Sequence, residues 1–254
     1  MKSMKRMGAT ALITAIIVGK VAFGWGVEYA KGQETTPGID PGREYVATEV
    51  LGETMEKDDQ AEREQQLTEI TEQARKAVAD YEREQAEAGN KVYAPYSAEH
   101  EDEFLESTRY LMTRKELNLV QVFGVLGNVA QESKFNPTLD NVRTKGLIQY
   151  EDSRRESLIA FMNEFGYTDP HSVEGQLRFI FWEHQNDSYE RQNLEAFRKT
   201  TTVADATSTF CSKYERPGMP ETEKRVYYAN KLLVTVADQN PDLLAGYIAE
   251  RPVK

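Results

Sequence analysis

The sequence predicts a mainly α protein: a helical domain over residues 97–254 with one small β element, preceded by an acidic linker and helical stalk over 28–96 and an apolar helix over 1–27. Three observations predict it. From Ser97 onward apolar residues recur at three- and four-residue steps, separated by brief polar breaks. Asn136 to Tyr150 is the one stretch suited to β structure. Glu53 to Ala88 is poor in glycine and proline and rich in Glu, Gln, Ala, Arg and Lys, the composition of a solvated helix.

At the N-terminus, Lys2, Lys5 and Arg6 precede an apolar stretch, Ala9 to Val18, which resumes from Val21 to Val27 after Lys20. This reads as a targeting or anchoring segment outside the fold. It is close to the roughly 20 residues that span a bilayer. Either it is cleaved, with Ala22-Phe23-Gly24 as a small-x-small site, or it is retained as a single-pass signal-anchor; in both cases the rest of the chain lies outside the cell membrane. Residues 28–52, with Gly32, Pro37, Gly38, Pro41 and Gly42, read as irregular. In the stalk, Leu67, Ile70, Ala74, Ala77 and Tyr81 form a narrow apolar stripe, too sparse in large residues for a coiled-coil seam, so a solvated single helix is expected. Gly89-Asn90 stops it.

In the domain, Ser97 caps a helix holding Phe104, Tyr110, Leu111 and Met112. Asn118 caps the next, whose Val122, Val125, Leu126 and Val129 face a core before Glu132. Asp152 or Ser153 opens a helix that ends at Gly166, Ser172 opens another, and later helices follow Ser188, Thr202 and Pro220.

Net charge is −11, and 28–103 carries most of it, with 8 basic against 21 acidic residues. Residues 104–254 are nearly neutral, so no basic surface points to nucleic acid. The lone Cys211 reads as a core residue. His100, His171 and His184 lack metal-ligand spacing, so no metal and no cofactor is expected.

The chemistry concentrates at Gly124-Val125-Leu126-Gly127-Asn128-Val129-Ala130-Gln131-Glu132-Ser133, which sets one carboxylate at the end of an otherwise apolar helix. A carboxyl group desolvated by apolar neighbours holds its proton nearer neutral pH, which makes Glu132 a candidate general acid. Asn136-Pro137 ends that helix, because the residue before proline avoids the α region. Gly146-Leu147-Ile148-Gln149 then reads as a turn and short strand returning toward it to wall a cleft.

At these residues the chain resembles the phage tail lysozyme domain family, within the lysozyme-like superfamily of goose-type lysozymes and lytic transglycosylases. The Gly-Asn-x-x-x-Glu-Ser block stands as Gly127 to Ser133, and Gly-Leu-x-Gln as Gly146 to Gln149, with Tyr150 where the family often carries Trp. Arg154, Leu158, Gln176-Leu177-Arg178-Phe179 and Tyr214-Glu215-Arg216-Pro217-Gly218, followed by Arg225 and Ala229, continue the likeness from about Phe104 to Leu233.

The resemblance implies a lysozyme-like domain that cuts the peptidoglycan glycan strand between N-acetylmuramic acid and N-acetylglucosamine, with Glu132 as acid. Glycoside hydrolysis ordinarily uses a second carboxyl group, and Asp140 and Asp152 both qualify. Without either, Glu132 would act alone, as in a lytic transglycosylase. Gly146, Gln149 and Tyr150 are expected to line the cleft, with Arg154 near peptide carboxylates of the wall. Glu215 reads as structural, with Arg225 as its candidate partner. Expected partners are peptidoglycan, the membrane through the N-terminal helix, and envelope-spanning conjugation, secretion or phage components. A wall-binding adaptor without catalysis is the alternative of another class.

Overall fold

In a computed structural model, the structure describes residues 41–140 and 144–251, with side chains from Asp59 onward. The expected anchor segment, 1–27, lies outside the described residues. Among the described residues no helix is long and apolar enough to cross a membrane. The chain divides into two compact units, Met1–Glu64 with Pro252–Lys254, and Gln65–Arg251. Of the first, residues 41–64 are described, all helical, with side chains from Asp59. The second is the folded domain that carries the core.

The elements are α1 (Pro41–Glu87), a 3-10 turn (Ala98–His100), α2 (Glu101–Thr113), α3 (Leu119–Glu132), β1 (Thr144–Lys145), β2 (Tyr150–Glu151), α4 (Asp152–Glu164), α5 (Val173–Asn186), α6 (Ser188–Phe197) and α7 (Val203–Phe210). A single π-helical turn (Cys211–Glu215), α8 (Thr222–Gln239) and α9 (Pro241–Ala249) complete the chain. The mainly α class with one small β element is what the periodicity predicts.

The centre of the domain is α3, buried at every position from Leu119 to Ala130. Its start is set by a reciprocal capping box between Asn118 and Gln121, as the Asn at that place predicts. It packs mainly against α7 and α8, and the glycines make this close. A Cβ on Gly124 would stand 2.7 Å from Ala206 Cβ, and one on Gly127 would stand 2.6 Å from Ala229 Cβ.

Four expectations are corrected. Helix α1 begins at Pro41, so 41–52 is helical where its Gly and Pro content suggested irregular chain. Its later half is not a solvated rod: Ala74 and Val78 are buried, Leu67, Ile70 and Tyr81 pack on the core, and Tyr81 stacks on Tyr227 at 4.4 Å. Val78, rather than the exposed Ala77, continues the stripe. The anchorage is reinforced by ion pairs from Arg75 to Asp238 at 2.6 Å and from Glu82 to Lys231 at 2.9 Å. Gly89, at φ +73, ends the helix as its sequence predicts.

Third, α3 ends at Glu132 itself, four residues before Asn136-Pro137, because Lys134 and Phe135 both adopt left-handed backbone at φ 56 and 64. Phe135 is then buried against Phe104 and Tyr96, which offsets the strain of two left-handed residues. Fourth, Gly146 to Gln149 is the turn of the hairpin and not a strand; the strands flank it, with Thr144 opposite Glu151 and Lys145 opposite Tyr150.

Candidate active site

The predicted site residues fall into three neighbouring clusters. Glu132 is the last residue of α3, with its side chain 18% exposed. It does not sit among apolar neighbours alone. Its Oε1 accepts from the guanidinium of Arg225, which is buried on α8. Arg225 is in turn held from two other directions: Nη1 donates to Asn128 Oδ1 at 3.0 Å, and Nε donates to the Pro220 carbonyl at 2.7 Å. Asn128, one helical turn before Glu132, is completely buried and donates to the carbonyls of Gly124 and Thr207.

The Gly-Asn-x-x-x-Glu block therefore has a single physical logic. Gly127 lets α8 approach, Asn128 orients the guanidinium that arrives with α8, and the guanidinium fixes Glu132. A buried guanidinium needs such acceptors, since desolvating it without them is costly.

Glu215 departs from the pairing expected from the sequence. Arg225 pairs with Glu132 and not with it. Glu215 closes the π-helical turn, immediately before Arg216 turns left-handed at φ 53. Its Oε1 is shut off from solvent and has no hydrogen-bond partner. Burial first, then the nearby charge of Glu132, pushes the Glu215 carboxyl well above the usual range, against the opposing pull of Arg225. The charges of Glu132 and Arg225 thus both act on the Glu215 carboxyl. The signal available in sequence was the Tyr214-Glu215-Arg216-Pro217-Gly218 turn itself, but nothing in its spacing says that the carboxyl points inward.

The second cluster is the hairpin. Gly146, at φ +75, is buried against Gln176, whose Oε1 would be 2.2 Å from an added Cβ and which accepts from the Leu147 amide at 2.7 Å. Gln149 ties the turn together: its Nε2 donates to the carbonyls of Leu139 and Gly146, and Thr144 Oγ1 donates to its Oε1. Asp140 bridges Lys145 at 2.9 Å and Arg155 at 3.3 Å. The hydrogen bond from Lys145 is the main reason that its carboxyl lies below the usual range. Asp152 is exposed at the first position of α4.

The third cluster is core. Tyr150, expected in the cleft, is 2% exposed; its hydroxyl meets that of Tyr214 at 2.8 Å and its ring stands edge-on to Phe179. Arg154 lies over both tyrosine rings, binds Glu183 through Nε and Nη2 and donates to the Tyr214 carbonyl. Tyr214 donates to Glu183 at 2.5 Å. These residues brace the π turn that carries Glu215. Cys211 is buried as expected. Among the described residues no group of His, Cys, Asp or Glu is arranged to hold a metal ion.

None of the curated proteins compared with the chain is similar to it. A family model described as phage tail lysozyme matches residues 105–235, just over half of the chain, and includes Glu132, the hairpin, Glu215 and Arg225. The chain belongs to the phage tail lysozyme family, and its domain has the lysozyme-like, peptidoglycan-degrading character of that family.

Proposed function

We propose that the domain is a muramidase that hydrolyses the glycan strand between N-acetylmuramic acid and N-acetylglucosamine, with Glu132 and Glu215 as its two carboxyl groups. The observation that carries this reading is the Glu215 carboxyl, whose Oε1 is shut off from solvent without a hydrogen-bond partner, within the field of Glu132 and of the guanidinium that fixes Glu132. The Glu215 carboxyl, raised by burial and by the charge of Glu132, holds its proton more readily than an ordinary carboxyl group. Glu132, whose side chain is 18% exposed, presents a proton to the leaving glycosidic oxygen. Water adds to the anomeric carbon as the bond to oxygen breaks, and its proton returns to the pair. The remaining negative charge faces the oxocarbenium-like transition state.

In this reading Asp140 shapes the hairpin through Lys145 and Arg155, and Gly146 and Gln149 hold the turn that walls the cleft. Tyr150 and Arg154 act from beneath, by bracing the Glu215 turn. Residues 1–27 serve as signal or anchor, placing the domain on the wall side of the membrane, where a conjugation, secretion or phage apparatus needs the wall opened.

The test is digestion of purified peptidoglycan by wild type, Glu132→Gln and Glu215→Gln, with products read by mass spectrometry. Reducing muropeptides from wild type, an at least hundredfold loss in Glu132→Gln, and a basic pH limb displaced to lower pH in Glu215→Gln are expected. Products ending in 1,6-anhydro sugars would replace hydrolysis by transglycosylation. A folded wild type that cuts no wall, or a Glu132→Gln variant that cuts equally well, would leave the adaptor reading in its place.

A further inference from the structure

The turn that carries Glu215 is gripped by a guanidinium of its own, which the cleavage step does not touch. Arg216 follows Glu215 and stands in left-handed backbone at φ 53. A residue with a side chain keeps that conformation only where its surroundings over-determine it. Here three bonds do so: the Arg216 amide closes the π turn on the Cys211 carbonyl at 2.7 Å, Nη1 donates to the Lys213 carbonyl, and Nη2 donates to Glu190 Oε1 at 2.8 Å. If the turn needed only a left-handed residue, glycine would serve it at no steric cost. The guanidinium therefore supplies something that the backbone conformation alone does not require.

Its anchor, Glu190, is in the first turn of α6 and is 5% exposed. Asn193 donates to Glu190 Oε2 at 3.2 Å, and Asp187 accepts from the Glu190 amide at 3.0 Å, so the carboxylate is fixed from both ends. A carboxylate this deeply buried persists only with a charged partner. His184, a titratable group beside it, is pushed down to about 4 chiefly by burial and is neutral, which leaves Arg216 as the counter-charge. On the other neighbour of Glu215, Arg154 donates to the Tyr214 carbonyl at 3.1 Å. Two guanidinium groups thus tie down the residues immediately before and after Glu215, one anchored on Glu183 of α5 and one on Glu190 of α6.

The charged and titratable groups that act on the Glu215 carboxyl come from several elements: Glu132 from α3, Arg225 from α8, Arg154 from α4, the Tyr150 hydroxyl from β2, and Cys211 and Arg216 from its own turn. Burial outweighs them all, and it acts only while the turn keeps the carboxyl in place. Once the turn is released, water reaches the carboxyl and its proton affinity returns toward the ordinary range.

We propose that Arg216 is a positioning residue of the active site: anchored on Glu190, it clamps the left-handed turn after Glu215 and thereby holds the Glu215 carboxyl in its buried place. Its role in cleavage rests on the reading of Glu215 as the second carboxyl group, but the placement of that carboxyl is measured without cleavage.

The experiment compares the full chain with Arg216→Gly and Glu190→Gln. Glycine relieves the left-handed backbone while removing the guanidinium, and glutamine keeps the shape of the anchor while removing its charge; melting verifies that each variant is folded. Glu215 is followed by carbon-13 in its carboxyl group, assigned through the signal that Glu215→Gln removes, and wall digestion gives kcat and KM. In both variants the Glu215 midpoint is expected to fall by about one pH unit. In both, kcat should fall about tenfold or more with KM unchanged, the mark of a misplaced group and not of weaker binding. The double variant should lose no more than the worse single one, because the two residues act as one clamp. An unchanged midpoint in both variants overturns the proposal. A midpoint that rises in Arg216→Gly overturns it too, since that is the effect of removing a positive charge from an unmoved carboxyl. A wild type that cuts no wall refutes the cleavage reading alone, and the midpoints still decide whether Arg216 holds Glu215.

Discussion

Gly127→Ala tests whether the approach of α8 to α3 sets up the Glu132 carboxyl. The new methyl would stand 2.6 Å from Ala229 Cβ, 2.7 Å from the Arg225 carbonyl oxygen and 2.9 Å from the Ala229 amide nitrogen. Ordinary contact begins at 3.4 Å, so α8 must retreat by about 0.8 Å. Two of the three obstacles are backbone, which no rotamer change removes. Overpacking of this kind costs roughly 1–3 kcal/mol, and the upper part of that range applies because the helices meet along rigid faces. Alanine in a helix recovers about 1 kcal/mol over glycine. A net loss of about 2 kcal/mol remains, roughly a 4–8 °C fall in Tm for a domain of this size. Activity should fall further than stability, because the displaced carbonyl belongs to the residue whose guanidinium fixes Glu132. Gly246→Ala is the control. Gly246 lies in α9 with no atom within 4 Å of an added Cβ, and the substitution should stabilise by up to about 1 kcal/mol. Calorimetric melting and wall digestion of both variants decide the matter. If Gly127→Ala melts with Gly246→Ala or above wild type and keeps full activity, the close-approach argument is refuted.

Arg225→Met leaves Asn128 Oδ1 and Glu132 without their shared donor; unfolding in urea should show a loss of about 3 kcal/mol or more, and wall digestion should drop to the level of Glu132→Gln. His184, 3% exposed, has its imidazole pushed down to about 4, chiefly by burial. The unfolded chain takes up that proton near 6.5 and the folded one does not until about 4, so the unfolded state binds more protons in between. Stability is thus fully present above 6.5 and falls by about 3 kcal/mol as pH drops to 4, a slope that His184→Asn should abolish in chemical denaturation. Glu215 works in the opposite sense. Its raised carboxyl keeps a proton that the unfolded chain has lost, so stability declines as pH rises above about 4.5, and Glu215→Gln should flatten that decline in the same denaturation series.

Much of the fold was legible because its signals are local. Asn118 followed by Gln121, Ser172 before Gly175, and Gly89 and Gly166 with positive φ are signals whose physics acts within one helical turn, and each marks an element end where it was expected. The apolar face of α3 and the position of Glu132 at its end were readable for the same reason. What was hidden needs contact between residues far apart in the chain. The partner of Glu132 is Arg225, and the inward turn of Glu215 depends on Tyr214 and Arg154 bracing a π turn from across the core. Tyr150 illustrates the converse: an aromatic after a turn can face a cleft or the interior, and its hydroxyl contact with Tyr214 settles that only in three dimensions. The stripe on α1 was seen, but periodicity gives a face and not its neighbour.

That stripe has a practical consequence for anyone cutting the gene. The family match begins at residue 105, whereas the hydrophobic interior extends upstream to Ala74 and Leu67. A fragment started at the match would strip Tyr81 from Tyr227, remove the acidic partner of Lys231, and leave one flank of α8, the helix that delivers Arg225, open to water. The border of similarity and the border of what must be kept together to stay folded are about 40 residues apart, and soluble fragments should be sought with ends before Gln65.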